Sequence, residues 1–574
     1  MDNTYRSNLK RIRDLLLSDT IEDDHVASED SDSDNDSDFV PVESDDTSTN
    51  EHISEESDKS NSDDDDQCDV YTDDQPETLE KAGPITKVQT ILDAFKLFLT
   101  NEILDEVVIQ TNRYAEQYFD QNKRSKTDSN AIKSKSSKWK PIDRVELESF
   151  IGLVIRAGLH RNNHESLNDL WDISQSSPLY RATMSLQRFR QFLQFLRFDD
   201  RQNRNKTDRL SPIRYIFELF IKQLPRHFVP GENLTIDEQL VAFRGRCCFV
   251  QYMPNKPAKY GLKFWLLCDV DSRYVLSIDL YTGKKDNIIQ KNLASNVVLH
   301  LVDQLSNDVK QGRTITFDRY FTNIKLSEAL LDRKMTSIGV VDYRRVFLPN
   351  ELKVCRKKLF SSWFYFSNSH MLVSYQAKEK KKPIILLSSL HKCAETFDDD
   401  KELPCLIHDY NQSKYGVDII DQCVRTYSVQ RISRRWPLIV FYNMIDIAAI
   451  NSMTLWLSQY PEWNQRKSNT RRIFLSQLST ALTVPQNQRR SQEPRLMPKV
   501  KLALLSLGYQ VPSGIVKDLH VNTHTNRIKR RCYLCPAKPG RKVRQICDNC
   551  GQNVCLSHSS SITVVTCRTC EKKN

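Results

Sequence analysis

Long apolar runs are absent from this 574-residue chain: no eighteen consecutive apolar residues occur, so no membrane-spanning segment is expected. The opening residues, MDNTYRSNLKRIRD, lack the apolar stretch of a secretory leader, which argues against secretion. Cysteine is sparse over most of the sequence, with eight residues spread through the first 531 and seven gathered between Cys532 and Cys570. A small disulfide scaffold is thereby excluded; reduced thiols plus one metal-binding region fit better, in a cytosolic or nuclear setting. Glycine is scarce as well, 14 in all, while 39% of residues are apolar, enough for several domains with true cores. Basic residues are nearly missing from residues 21–80, where Lys59 stands alone against 25 acids, a local net of −24. Since the whole chain nets +9, the other 514 residues carry +33. A body with that excess attracts polyanions, nucleic acid first among them.

Composition divides the chain. Residues 1–85 are expected to be an acidic, disordered N-terminal region, because so few apolar groups cannot offset the entropy of ordering. Serines followed by acids there suit an acid-directed kinase, and the segment is a candidate competitor of DNA for the basic body. Helical spacing begins at Thr86 (ILDAFKLFLTNEILDEVVIQ, DRVELESFIGLVIRAGL, SLQRFRQFLQFLRF) and marks 86–231 as helical, with a basic, Ser-rich loop at 122–140. The period then switches to two: NLTIDEQLVAF, YGLKFWLLCD, YVLSIDLYTG, RTITFDRYF and SIGVVD predict five strands, with a helical crossover before the fourth. That order makes 232–343 the first part of an α/β domain with a mixed sheet. Residues 344–405 are expected to be an insertion of short strands. Residues 406–427 are expected to be a helix, the catalytic one of the α/β domain, and 428–515 resume the helical texture. The run WPLIVFYNMIDIAAINSMTLWL is apolar nearly all round, as a buried helix should be. A cysteine-rich tail occupies 527–574.

Aspartates stand at unusual places. Asp237 lies mid-strand in LTIDEQL, on the face of Thr235 and Gln239; Asp318 ends the fourth strand, TITFD, again two residues after a Thr. Asp418 and Asp421 in GVDIIDQ follow at i, i+3 on a helix start and are expected to point the same way. Phosphodiester chemistry with two divalent cations needs several carboxylates converging within a few ångströms, and strand- and helix-borne acids around a mixed sheet supply that in ribonuclease-H-like nucleases. Singly, each has a structural explanation: a helix-start acid favoured by the dipole, or a strand-end residue capping a turn. Asp269 and Asp271, in CDVDSRY, belong to the hairpin turn instead.

Together, LTIDEQLVAFRGRC, YMPNKPAKYGLKFWLLCD, FDRYFTN, YNQSKYGVDIIDQ, RRWPL and the terminal cysteine cluster resemble piggyBac-type DNA transposases over residues 86–574. The resemblance implies a metal-binding triad of Asp237, Asp318 and Asp418, with Asp421 as an additional acid, holding Mg²⁺ ions for which Mn²⁺ can substitute. It implies a ribonuclease-H-like catalytic core with an insertion, flanked by a split helical domain for dimerisation and DNA binding, plus a C-terminal cross-braced zinc finger. The implied activity is cut-and-paste transposition: nicking of transposon ends, hairpin formation by the freed 3′-OH, and joining to TTAA targets. The implied partners are double-stranded DNA carrying terminal inverted repeats, and a second copy of the chain; no membrane partner is expected, and the compartment is the nucleus.

Basic and aromatic residues next to these acids are candidate DNA contacts: Arg244, Arg246, Lys256 and Lys259 after the first strand, and Arg431, Arg434, Arg435 and Trp436 in RISRRWP. Periodicity alone favours a core role for Trp436, whereas the resemblance puts the matching Trp against DNA. In the tail, Cys532, Cys535, Cys547, Cys550, Cys555, His558, Cys567 and Cys570 form four pairs with two-residue gaps, enough for two structural Zn²⁺ ions. Similarity to PHD and RING-type fingers pairs Cys532, Cys535, Cys555 and His558 at one ion and Cys547, Cys550, Cys567 and Cys570 at the other. The basic flank (Arg527, Lys529, Arg530, Arg531, Arg541, Lys542, Arg544) favours DNA over protein as the finger's partner and suits nuclear import. Two further readings stay open on sequence: a domesticated chromosomal DNA-binding protein without transposition activity, and a nuclease without strand transfer.

Overall fold

The computed structural model describes residues 81–124, 139–283, 292–353, 358–379, 381–398, 400–512, 530–535, 542–543, 545–547 and 552–559. The acidic region 1–80 and most of the basic loop at 122–140 lie outside them, as do Cys550, Cys567, Cys570, Arg527, Lys529, Arg541 and Arg544.

Helix starts follow local chemistry. Thr90 and Asp93 cap the Ile91–Lys96 helix reciprocally, each side chain accepting the other's backbone N–H at 3.0 Å. Asp143 caps the Arg144–Leu159 helix through the Glu146 N–H, 2.8 Å away. This second helix packs on Thr470–Ser491, more than 300 residues later. Gly152 is the contact point: a Cβ there would stand 2.9 Å from the Ser479 carbonyl oxygen, and Ser479 Oγ donates to Gly152 O at 2.8 Å. Arg156 adds donations to Ser476, Ser479 and Thr480. Helices before and after the sheet therefore share one core. Residues 464–515 hold two helices, Thr470–Ser491 and Pro498–Ser506. The Trp436–Gln459 helix is apolar and long enough to cross a bilayer, yet 89% of its most apolar window is buried inside the protein. Asn443 and Asn451 on this helix bond to the sheet, at Gln239 and Val275.

Strands β1 (Gly83–Pro84) and β2 (Phe228–Val229) form a small antiparallel pair. The main sheet begins with β3 (Asn233–Ala242), β4 (Gln251–Tyr252), β5 (Tyr260–Asp269) and β6 (Val275–Leu280), and continues with β7 (Thr314–Phe317) and β8 (Thr336–Val340). β5 pairs antiparallel with β3 on one edge and with β4 and β6 on the other, while β3, β7 and β8 run parallel. Parallel neighbours require crossovers. The Leu293–Val302 helix lies in the first; the helix Ile324–Leu331, in the second, was not anticipated, because eight residues between two strands give too short a period to read.

In segment 344–405, strands β9 (Ser362–Phe366), β10 (Met371–Tyr375) and β11 (Ile384–Ser388) extend the same sheet, since β11 pairs antiparallel with β8. The order β4-β5-β3-β7-β8-β11-β10-β9, with β6 also on β5, makes a nine-stranded mixed sheet among the described residues. Helices Cys405–Ser413 and Gly416–Thr426 then lead the chain back to β3, at the centre.

Candidate active site

Parallel register brings the first two acids together. Thr235 pairs with Thr316 and Ile236 with Phe317, so Asp237 and Asp318 are the next residues on adjacent strands at the same end of the sheet. Neighbouring strands lie roughly 4.8 Å apart. The Gly416–Thr426 helix is laid against this end: a Cβ on Gly416 would stand only 2.2 Å from Thr235 Cγ2, so glycine is needed for the approach. Ser413, at the end of the preceding helix, shares a 2.6 Å hydroxyl contact with Thr316. Val417, Ile420 and Val424 are buried, while Asp418 is exposed at the rim and Asp421, 8% exposed, lies deeper. The two helical acids thus differ in depth, because Asp421 lies one turn further along, beside the sheet residue Gln239.

The charges act on one another. Burial, then Glu238, raises the Asp237 pKa well above the ordinary carboxylate value; Lys256 opposes this, and Asp418 and Asp318 add to it. Asp318 is raised by burial, against the Arg319 N–H that it accepts at 2.6 Å, and further by Glu238. Asp421 is raised by burial, with Arg425 (3.4 Å), Lys256 and Gln239 restraining the rise. Tyr410 is pushed up by burial and then by Asp318 and Asp237, which places its ring at the same cluster. Glu238, unremarkable in the sequence because strand alternation turns it from Asp237, proves to be a fifth acid whose charge reaches both strand aspartates. Hard carboxylate oxygens gathered at one place are a donor set suited to a divalent, oxygen-preferring cation.

Thiols close more tightly. Cys532, Cys535, Cys555 and His558 are the one set among the described residues with three or more such ligand atoms all within 4.8 Å of one another; the aspartates stand further apart. Cys535 and Cys555 sulfurs are 3.7 Å apart, and His558 Nδ1 lies 3.7, 3.5 and 3.3 Å from the sulfurs of Cys532, Cys535 and Cys555. Tetrahedral bonds of ~2.3 Å to sulfur and ~2.0 Å to nitrogen demand spacings of about 3.8 Å and 3.5 Å, so the set has the dimensions of a closed zinc site. The Cys555 N–H and His558, outweighing burial, lower the Cys532 thiol to about 6. Two short strands, β12 (Arg530–Arg531) and β13 (Lys542–Val543), brace this knuckle and present exposed Arg530, Arg531 and Lys542. Of the second expected set, Cys547 alone falls among the described residues.

Comparison with known proteins decides the family. Residues 91–453 match the family model described as Transposase IS4. A piggyBac transposase solved by cryo-EM as a synaptic complex with hairpin DNA superposes with a TM-score of 0.67 at 30% identity, over 83% of this chain and 98% of that one. The chain belongs to the piggyBac-type transposases. The human PiggyBac transposable element-derived proteins 3 and 2 are each 23% identical to it, over 384 and 383 residues, which is 63% of this chain. The chain spans 60% of the length of each of these curated relatives.

Within this chain, the candidate DNA contacts separate into two groups. Arg244, Arg246, Lys259 and Arg434 are exposed, with Arg244 over the Tyr260 ring at 5.3 Å. Arg431 is 8% exposed and donates to the Asn162 and Glu165 carbonyls at 3.1 and 2.7 Å, a buried brace rather than a free cation at the surface. Arg435 donates to Leu193 O and Leu196 O, the open carbonyls at the end of the Leu186–Phe195 helix. Both assignments followed from composition, which cannot tell an arginine facing phosphate from one capping a helix. Trp436 is half-buried at a helix start and meets Phe249 edge-on at 5.0 Å. Lys256 faces the acids. Its Nζ donates to Glu238 O at 2.9 Å; burial draws its pKa down, but Asp237, Glu238, Asp418 and Asp421 outweigh burial and raise it. Asp271 lies in the turn as expected, whereas Asp269 is the last residue of β5 and accepts the Gly231 and Ser272 N–H groups, both at 2.8 Å.

Proposed function

We propose that this chain is an active, metal-dependent DNA transposase with a ribonuclease-H-like core. Asp237, Asp318 and Asp418 would hold two Mg²⁺ ions, with Mn²⁺ as a substitute, and Asp421 would support them. The observation that carries this reading is the parallel register of β3 and β7, which sets Asp237 beside Asp318 under a helix bearing Asp418. The strand order β6-β5-β3-β7-β8, antiparallel then parallel, supports the ribonuclease-H-like assignment. When bound, paired divalent cations supply activation of the attacking oxygen and stabilisation of the leaving one. The chain's own residues position everything else: Gly416 lets the catalytic helix close on Thr235, Arg425 pairs with Asp421 at 3.4 Å, and Asn443 donates to Gln239 beside them. All four aspartates are present, which favours activity over a domesticated, non-cutting descendant.

The further steps belong to the same proposal: cut-and-paste excision with hairpinned ends, 3′-OH transfer into TTAA sites, and action as a homodimer in the nucleus. Exposed Arg244, Arg246, Lys259 and Arg434 would meet phosphate, and the finger, holding two structural Zn²⁺ ions, would read the terminal repeats. An in vitro excision and joining assay on the element's own flanking DNA, with Asp318→Ala beside it, tests this reading. Expected are cleavage and joining by the wild type and neither by the variant, with DNA binding retained. Cleavage by Asp318→Ala in Mg²⁺ would refute the site. Cleavage without joining of a pre-cut 3′-OH end would leave a nuclease.

A further inference from the structure

We infer that Lys256 is the resident counter-cation of the carboxylate cluster, a positioning residue whose ammonium lies in the charge basin that divalent metal enters and is displaced when metal arrives. This rests on the metal-dependent reading above. Sequence made Lys256 one of four cations after the first strand, all expected to meet phosphate. The fold separates it from the others: Arg244, Arg246 and Lys259 are exposed, whereas Lys256 is partly buried and points its Nζ at Glu238 O, 2.9 Å away. Four carboxylates from two elements act on it, Asp237 and Glu238 of β3 and Asp418 and Asp421 of the Gly416–Thr426 helix. Lys256 is thus an ammonium within the field of both strand and helix.

The loop that carries it is built rather than slack. The Lys256 N–H donates to Met253 O at 3.1 Å, the Lys259 N–H to Lys256 O at 3.0 Å, and the Met253 N–H to Lys259 O at 2.7 Å. Lys259 takes a left-handed backbone (φ 54°) to close this turn between β4 and β5. Such a turn fixes where the Lys256 stem starts, while four rotatable bonds let its tip swing. One monovalent charge among five acids offsets part of their repulsion and leaves room for a divalent ion to do better. Metal and ammonium then compete for the same carboxylates, and lysine sets how tightly metal is held.

The test is calorimetric titration of Mn²⁺ into the zinc-loaded full chain without DNA, paired with thermal melting with and without Mg²⁺. Removing the competing charge should tighten Mn²⁺ binding about tenfold in Lys256→Met, the scale on which an adjacent unit charge shifts an ionisation equilibrium. Lys256→Arg should stay near wild type. Metal-free Lys256→Met should melt below wild type and recover in Mg²⁺, since a missing contact alone would not be restored by metal. Lys256→Gln serves if the methionine variant misfolds. Mn²⁺ affinity that is unchanged or weaker in the neutral variants overturns the inference. Asp237→Asn separates the two levels: if it abolishes Mn²⁺ binding while Lys256→Met changes nothing, the metal site stands and the lysine's role falls. If Asp237→Asn binds Mn²⁺ as wild type does, or wild type binds none, the metal reading fails and takes the inference with it.

Discussion

Asp446 offers the most direct quantitative test of how the Gly416–Thr426 helix is tied to the core. It lies in the middle of the Trp436–Gln459 helix, 5% exposed, and accepts the Ser428 hydroxyl at 2.9 Å and the Val429 N–H at 3.1 Å. Those two residues follow the end of the Gly416–Thr426 helix, and Gly158 closes on this segment, where a Cβ would stand 2.5 Å from Ser428 O. Burial, against the Val429 and Ser428 bonds and a weaker pull from Arg471, raises the Asp446 carboxyl from 3.8 to about 7. At about 1.4 kcal/mol per tenfold, the ionised carboxylate is disfavoured in the fold by roughly 4 kcal/mol. A raised pKa means that the folded state binds the proton more tightly, so this contribution is intact below pH 3.8 and is lost as pH rises through 7. Asp446→Asn keeps an acceptor for the Val429 N–H and removes the titration. Its stability relative to wild type should therefore climb between about pH 4 and pH 7, toward that ~4 kcal/mol. Urea denaturation followed by tryptophan fluorescence at several pH values measures the difference, in which all other titrating groups cancel. A difference that is flat across this window would refute the reasoning. Asp446→Ala, which also removes the titration but orphans a buried N–H, should follow the same pH trend about 1–3 kcal/mol below Asp446→Asn.

Gly416→Ala should separate binding from cutting: the added methyl meets Thr235 Cγ2, overpacking of this kind costs about 1–3 kcal/mol, and strand cleavage should fall while DNA affinity holds. Equal cleavage by the alanine variant would show that the helix approach is not needed. Cys535→Ser should lower bound zinc by one equivalent in atomic absorption and abolish sequence-specific binding to terminal DNA; unchanged zinc content would remove the knuckle from the metal account. Exposed Arg434→Ala should weaken DNA binding and flatten its salt dependence, whereas buried Arg431→Ala should lower the melting temperature, because its guanidinium braces carbonyls. Equal melting curves for the two would contradict this division.

Five strands, the buried helix at Trp436, and the aspartates at 237, 318, 418 and 421 were legible in the sequence, because alternation and helical spacing are local and a strand-interior acid breaks its surroundings. The pairs Cys532–Cys535 and Cys555–His558 were legible too, because a two-residue gap is a local feature. Period alone fixes which face a residue shares with its neighbours along one strand or helix. It says nothing of what faces it across the fold. Tertiary structure decided that Asp237 and Asp318 stand side by side, through a register between residues 81 apart; that Lys256 turns inward while Arg244 stays out; that Arg431 braces loop carbonyls and Arg435 the end of a helix; and that β9–β11 continue the same sheet. Each of these depends on the path of a loop or the pairing of distant strands, and so on contacts between residues that the linear order keeps apart.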